Sequence, residues 1–247
     1  MKTLIVFNHP YNGSFCHSIL ESVKKGLLGA GHEVDIIDLD SDCFNPVMSG
    51  EDLLAFKNRQ AIDEQAIDYV KRLQQADHLI LIFPIWWELM PAMMKGFIDK
   101  VIFPGSTYGY AKSGHGMITK LNNLQSTTVI TTMNTPKLKY KFAYGNAIKK
   151  SFIKGTLKKT GFRNVKWISF NKIKSSSEKI RDTWLSNLEK RFAKRLYLSN
   201  IDSCSNKVLN KILDGILVAT DQDFWLYETN TSYISYPSVQ FQQFGIF

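Results

Sequence analysis

This sequence is short of cysteine, long apolar runs, glycine-rich phosphate loops and, over one stretch, acidic residues. Its three cysteines, Cys16, Cys43 and Cys204, are odd in number and widely spaced, which excludes the CxxC spacing of zinc or dithiol sites and argues against a disulfide framework. No metal site is expected, and reduced thiols fit a cytoplasmic protein. The longest apolar stretch, Leu79 to Met90, is broken by Pro84 and Glu88 and falls short of the ~20 residues that cross a bilayer. A chain not embedded in membrane is therefore expected. The run MKTLIVFN carries one lysine and five apolar residues before Asn8, too little for a secretory signal, and reads as a first strand. Between Lys137 and Arg195, 18 basic residues stand against 3 acidic ones. These lysines are spread through apparent helices and strands, so the plain reading is a solvated basic face that also attracts anionic small molecules. No nucleic-acid partner is expected.

With 44% hydrophobic and 21% charged residues, the chain can bury a sizeable core and is not disordered. Apolar and helical periods alternate along it. Thr3 to Phe7 reads as a strand and Ser14 to Leu28 as a helix ended by Gly29 and Gly31; Glu33 to Leu39 reads as a half-exposed strand. A loop containing Asn45, Pro46 and Gly50 leads to a helix from about Gln60 to Gln75. His78 to Pro84 is apolar without alternation, as befits a strand buried on both faces. Pro91 to Val101 (helix), Thr127 to Thr132 (strand), Ala147 to Lys159 (helix), Val165 to Phe170 (strand) and Ser177 to Leu196 (helix) complete five strand–helix units. Parallel crossovers need connections of that size, so the pattern predicts an α/β, doubly wound, five-stranded parallel sheet with helices on both faces. That domain is expected over 1–197. Residues 198–247 carry two lysines against five acids and eight aromatics after Asp223, and are expected to form an extension packed over it.

In an open parallel sheet, ligands bind beyond the carboxyl ends of the strands, where strand order reverses. The segment NHPYNGSFCHS follows the first strand and opens a helix, whose free N–H groups and dipole favour an anion such as phosphate. It lacks both GxGxxG and GxxxxGK[ST], so neither a Rossmann-type dinucleotide nor a nucleoside triphosphate is supported. His9 and Ser14 can donate to phosphate, and Ser14 can cap the helix. The segment FPIWWELMPAMMKGFIDKV sets Trp86 and Trp87 just after the most buried strand. Adjacent strand residues point to opposite sides, so one indole would fill core and the other would be free to face a flat ligand. TTMNTPKLKY follows the next strand with hydroxyl, amide and N–H groups. Tyr108 and Tyr110, two apart in a loop, can present their rings on a common side.

His9 followed by Ser14-Phe15, then PIWWELMPAMMKGFIDKV, the aromatic loop and the Thr131-Thr132 strand end, resembles the flavodoxin-fold NAD(P)H:quinone oxidoreductases. This is the DT-diaphorase group, which includes bacterial quinone reductases and Kef-type ancillary oxidoreductases. The resemblance spans about residues 1 to 195 and implies strand order 2-1-3-4-5. It also implies a noncovalent flavin, FMN or FAD, with NAD(P)H as donor and a quinone or similar flat aromatic as acceptor, in two-electron ping-pong hydride transfer. His9, Ser14, Phe15 and Cys16 would contact the flavin phosphate. Pro84, Ile85, Trp86, Trp87 and Glu88 would lie along the ring and ribityl chain, and Thr131, Thr132, Met133 and Asn134 would approach the ring edge. Tyr140 would take the catalytic position. Tyr108 and Tyr110 match the substrate-side aromatics, supplied by the partner in a homodimer. Cys16 stands where diaphorases carry asparagine, and Met133 and Asn134 where they carry two glycines. The alternative reading is a flavin-binding ancillary subunit of a membrane transporter, docked by the basic face or the aromatic tail. A one-electron flavodoxin carrier ranks behind both, because such carriers are acidic.

Overall fold

In the computed structural model, which describes residues 1–112 and 116–193, the five expected parallel strands form one sheet. They are β1 (Lys2–Phe7), β2 (Glu33–Asp38), β3 (His78–Pro84), β6 (Ser126–Thr132) and β7 (Val165–Phe170), hydrogen-bonded in the order β2-β1-β3-β6-β7. Two short strands, β4 (Tyr108–Tyr110) and β5 (Met117–Thr119), pair antiparallel outside the sheet; with them left out, the order is the 2-1-3-4-5 that the resemblance implies. Every residue of β3 and β6 is buried; for the apolar run of β3 this is what a strand covered on both faces requires. Alternation sorts side chains between two layers. Leu4 and Val6 join Leu79, Leu81, Phe83 and Val129 on one face, whereas Ile5 and Phe7 join Ile80, Ile82 and Ile130 on the other.

The first layer is covered by α3 (Glu64–Gln75), α4 (Ala92–Val101) and a π-helix (Ile148–Lys158); the second by α1 (Phe15–Gly29) and α6 (Glu178–Ala193). Close packing of α1 on α6 depends on Gly26, because a Cβ there would stand 2.5 Å from the Glu189 carbonyl oxygen. Arg72 of α3 grips Asp35 of β2 through Nε at 2.9 Å and Nη2 at 2.6 Å, tying the helix layer to the edge strand.

Several elements were not expected. A helix α2 (Gly50–Asn58) occupies part of the expected loop, started by a capping box in which Ser49 and Asp52 bond reciprocally. Its apolar residues Leu53 and Leu54 lie exposed, so no buried stripe marks it in the sequence. The expected helix from Gln60 begins instead at Glu64, capped by Asp63. Lys100, 4% exposed, joins these parts: its Nζ lies 2.8 Å from Asp63 and 3.6 Å from Asp52. The loop expected around Tyr108 and Tyr110 is the β4–β5 hairpin, and α5 (Lys137–Phe142) follows β6. The expected extension over 198–247, with its aromatics, lies outside the described residues. Among the described residues no helix is long and apolar enough to cross a membrane.

Candidate functional site

Strands β2 and β3 flank β1, so the connections leaving β1 and β3 turn to opposite sides and open a crevice beyond Phe7 and Pro84. The N-terminus of α1 stands at this crevice. Ser14 caps it, its Oγ accepting from the His17 N–H at 3.1 Å. That leaves the N–H groups of Phe15 and Cys16, the first two of the helix, without intrahelical acceptors and suited to an anion. His9 Nδ1 accepts from the Tyr11 N–H at 3.1 Å. Burial lowers the pKa of His9 against the opposing charge of Asp40. The neutral ring therefore carries its proton on Nε2, which remains a donor. The side chains of Phe15 and Cys16 turn away from the crevice. Phe15 meets Phe170 edge-on at 6.0 Å; Cys16 is 1% exposed, its Sγ 3.2 Å from Thr132 Oγ1. Burial pushes its thiol up to about 12, so Cys16 stays protonated and packs as a small apolar group.

Pro84 and Ile85 are buried at the end of β3, where the Ile85 N–H donates to the Thr132 carbonyl at 2.8 Å. Beyond them Trp86 and Leu89 close a tight turn by exchanging backbone hydrogen bonds of 2.9 and 3.0 Å. Its two central residues both have left-handed backbone, with φ of 49° at Trp87 and 64° at Glu88. The expectation that one indole fills core therefore fails. Trp86 is 46% and Trp87 98% exposed, because the residues form a turn rather than continuing the strand. Trp86 also lies edge-on to His9, with ring centres 5.9 Å apart. Left-handed backbone costs a non-glycine residue roughly 1–2 kcal/mol, so something must hold the turn.

The holding groups come from the segment after β6. Thr135 Oγ1 donates to Glu88 Oε1 at 2.7 Å, and the Tyr140 hydroxyl donates to the Glu88 carbonyl at 2.9 Å. That hydroxyl also accepts from the Ile148 N–H at 3.0 Å. Tyr140 is 2% exposed and burial raises its pKa. Its hydroxyl is thus bonded to the turn and to the start of the π-helix. Thr131, Thr132 and Met133 also point inward. Thr131 accepts from Trp167 Nε1 at 2.9 Å, Thr132 meets Cys16, and Met133 lies in the core. Asn134 is exposed, its Oδ1 accepting from the Lys174 N–H.

Tyr108 and Tyr110 are not at this crevice. Gln74, which leads into β3, donates to the Ser106 carbonyl just before them, and a Cβ on Gly161, which leads into β7, would meet Thr119 of their hairpin. The pair therefore sits at the opposite end of the sheet, Tyr108 buried and Tyr110 under the Arg59 guanidinium. Sequence reasoning overlooked Thr135, which fixes Glu88, and Asn8, whose Nδ2 donates to Asp40 at 2.7 Å. Position was the available signal, since both lie within a residue or a few of a strand end. Among the described residues, Asn8 Oδ1, His17 Nδ1 and Glu88 Oε2 are buried without a hydrogen-bond partner. No cluster of His, Cys, Asp and Glu that could hold a metal occurs among them.

A family model described as flavodoxin-like fold matches residues 1–196. A Haemophilus influenzae protein named an uncharacterized NAD(P)H oxidoreductase is 30% identical over 183 residues, covering 73% of this chain and 89% of that protein. NAD(P)H dehydrogenase [quinone] 1 of Cavia porcellus is 30% identical over 126 residues, covering 44% of this chain and 46% of that protein. The crystal structure of Smu.1420 from Streptococcus mutans is 34% identical and superposes with a TM-score of 0.68, covering 78% of this chain and 99% of that one.

Proposed function

The chain belongs to the flavodoxin-fold family of NAD(P)H oxidoreductases, and from that membership we propose a flavin-dependent NAD(P)H:quinone oxidoreductase, active as a homodimer. The observation that carries this reading is the crevice itself: a capped helix N-terminus with two open N–H groups beside a turn that holds two indoles out of the core. The residues present fit a flavin. Phosphate would accept from Phe15 N–H, Cys16 N–H and His9 Nε2–H, while the ring would lie against Trp86 and the Ile85–Glu88 backbone. The partnerless buried atoms of Asn8, His17 and Glu88 are further hydrogen-bonding capacity for a polar ligand.

The chemistry such a cofactor supplies is acceptance of a hydride from NAD(P)H and delivery of two electrons to a quinone or other flat acceptor. This chain's residues bind and orient. Trp86 and Trp87 offer aromatic surface to a flat donor or acceptor, which would use the same face in turn and give ping-pong kinetics. Tyr140 and Thr135 fix the turn that carries both indoles. Tyr108 and Tyr110 lie too far from their own crevice to act there, so a second copy would bring them to it.

An absorption spectrum of the purified protein, repeated anaerobically after NADPH and then menadione, tests the reading. Yellow protein that bleaches with NADPH and recovers with menadione is expected, with parallel double-reciprocal plots. Protein that binds neither FMN nor FAD would refute the cofactor assignment, and intersecting plots the shared face.

A further inference from the structure

Charge changes sign across the crevice. Asp38, Asp40 and Asp42 stand at and just after the end of β2, whereas from Lys137 to Ser177 the chain carries twelve lysines and arginines and no acidic residue. This stretch begins with α5, and α5 adjoins the turn that presents both indoles. Lys139 and Lys141 flank Tyr140, whose hydroxyl reaches the Glu88 carbonyl. Glu88, the acid of that turn, is engaged by Thr135 at 2.7 Å. Neither Lys139 nor Lys141 forms an ion pair among the described residues. Aromatic rings hold their ammonium groups close to the segment instead: Lys139 Nζ lies 5.4 Å from the Tyr144 ring centre and Lys141 Nζ 5.0 Å from that of Phe142. The flavin phosphate does not use these cations. Its N–H donors open α1, which covers one face of the sheet, while α5 buries Tyr140 in the layer on the other face.

We propose that Lys139 and Lys141 select a donor that carries a phosphate monoester on its adenosine, so that the reducing nucleotide is NADPH rather than NADH. This inference rests on the redox reading of the crevice and names the donor it takes. With the nicotinamide against the indoles, the rest of an extended dinucleotide leaves the crevice past α5. Its 2′-phosphate, with a charge of about −1.5 to −2 at pH 7, then meets the two ammonium groups as a point-charge contact. Selection of NADH would call for the opposite chemistry, a carboxylate that accepts from the 2′-hydroxyl and repels a phosphate, and the Lys137–Ser177 stretch holds none. The lysines act here as part of the crevice wall, whatever second copy completes it.

Initial rates with menadione at saturating flavin, measured for NADPH and for NADH, test the selection. Calorimetric titration of the same protein with 2′,5′-ADP and with 5′-AMP tests it without turnover. NADPH should exceed NADH in kcat/KM, and 2′,5′-ADP exceed 5′-AMP in affinity, by about tenfold, since an exposed ion pair gives a few-fold and two lysines face a doubly charged group. Both ratios should shrink as salt rises. Lys139→Gln with Lys141→Gln should bring them close to one. Lys158→Gln with Lys159→Gln, at the far end of the π-helix, should leave them as in the parent, which separates a local contact from net charge. Far-ultraviolet circular dichroism verifies that both variants are folded. Equal kcat/KM or equal affinity in the parent overturns the proposal and leaves the redox reading standing. So does a preference that survives in the Lys139 and Lys141 variant or falls equally in the Lys158 and Lys159 variant. Failure of both nucleotides to bleach bound flavin overturns the redox reading itself, and the proposal with it.

Discussion

Replacing Tyr140 by Phe removes one oxygen atom and two hydrogen bonds while the ring keeps its packing against Trp167, 6.2 Å away. The two bonds are unequal. Ile148 is 1% exposed, so its N–H would be left buried without an acceptor, at a cost of about 1–3 kcal/mol. The Glu88 carbonyl sits in a half-exposed turn, where water can replace the phenol at little cost. A total of about 1–3 kcal/mol corresponds to a fall in melting temperature of roughly 2–10 °C for a domain of this size. The turn at Trp87 and Glu88 would lose one of its two side-chain braces, so flavin affinity should drop as well. Thermal unfolding, a flavin fluorescence titration and turnover at saturating flavin separate the possibilities. Lower stability and weaker flavin binding, with turnover largely retained at saturation, are expected. Unchanged stability with turnover lost would refute the positioning role and return Tyr140 to the reacting atoms.

Trp87→Gly should relieve left-handed strain worth about 1 kcal/mol and sacrifice little packing, since the indole is 98% exposed. Melting should rise by a few degrees while KM for the quinone increases, and a lower melting temperature would show that the indole is packed after all. Arg72→Met should destabilise the protein most at neutral pH. The Arg72 hydrogen bond holds the Asp35 carboxyl below the usual carboxylate range, so its contribution is present above the unfolded pKa of about 4 and is lost as pH falls through the folded value. Urea midpoints of parent and variant should therefore converge in acid. A difference constant with pH would mean that the pair contributes by packing alone.

The five parallel strands and the helices that cover them were legible because each follows from a local pattern, while the strand order came with the family resemblance. An unbroken apolar run such as His78 to Pro84 needs cover on both faces, and alternation in β2 leaves one face half-exposed. Parallel pairing then requires a helix between strands. The elements missed were those that bury no stripe of their own: α2 leaves Leu53 and Leu54 in solvent, and α5 buries Tyr140 alone among its six residues. Ser14 was legible as a cap because capping is a local backbone interaction. Trp86 and Trp87 were legible as residues at the end of β3, but their turn was not, since nothing in WWEL advertises two left-handed non-glycine residues.

By itself, then, the sequence determined the layered parallel sheet, because periodicity and strand–helix alternation act over a few residues. Tertiary structure alone decided what each candidate side chain does there. Whether Cys16 meets phosphate or Thr132, and whether Tyr140 faces a substrate or braces Glu88, depends on contacts 116 and 52 residues away. The distance of Tyr108 and Tyr110 from their own crevice is likewise set by where the hairpin packs, beside Gln74 and Gly161, and no local pattern carries that information.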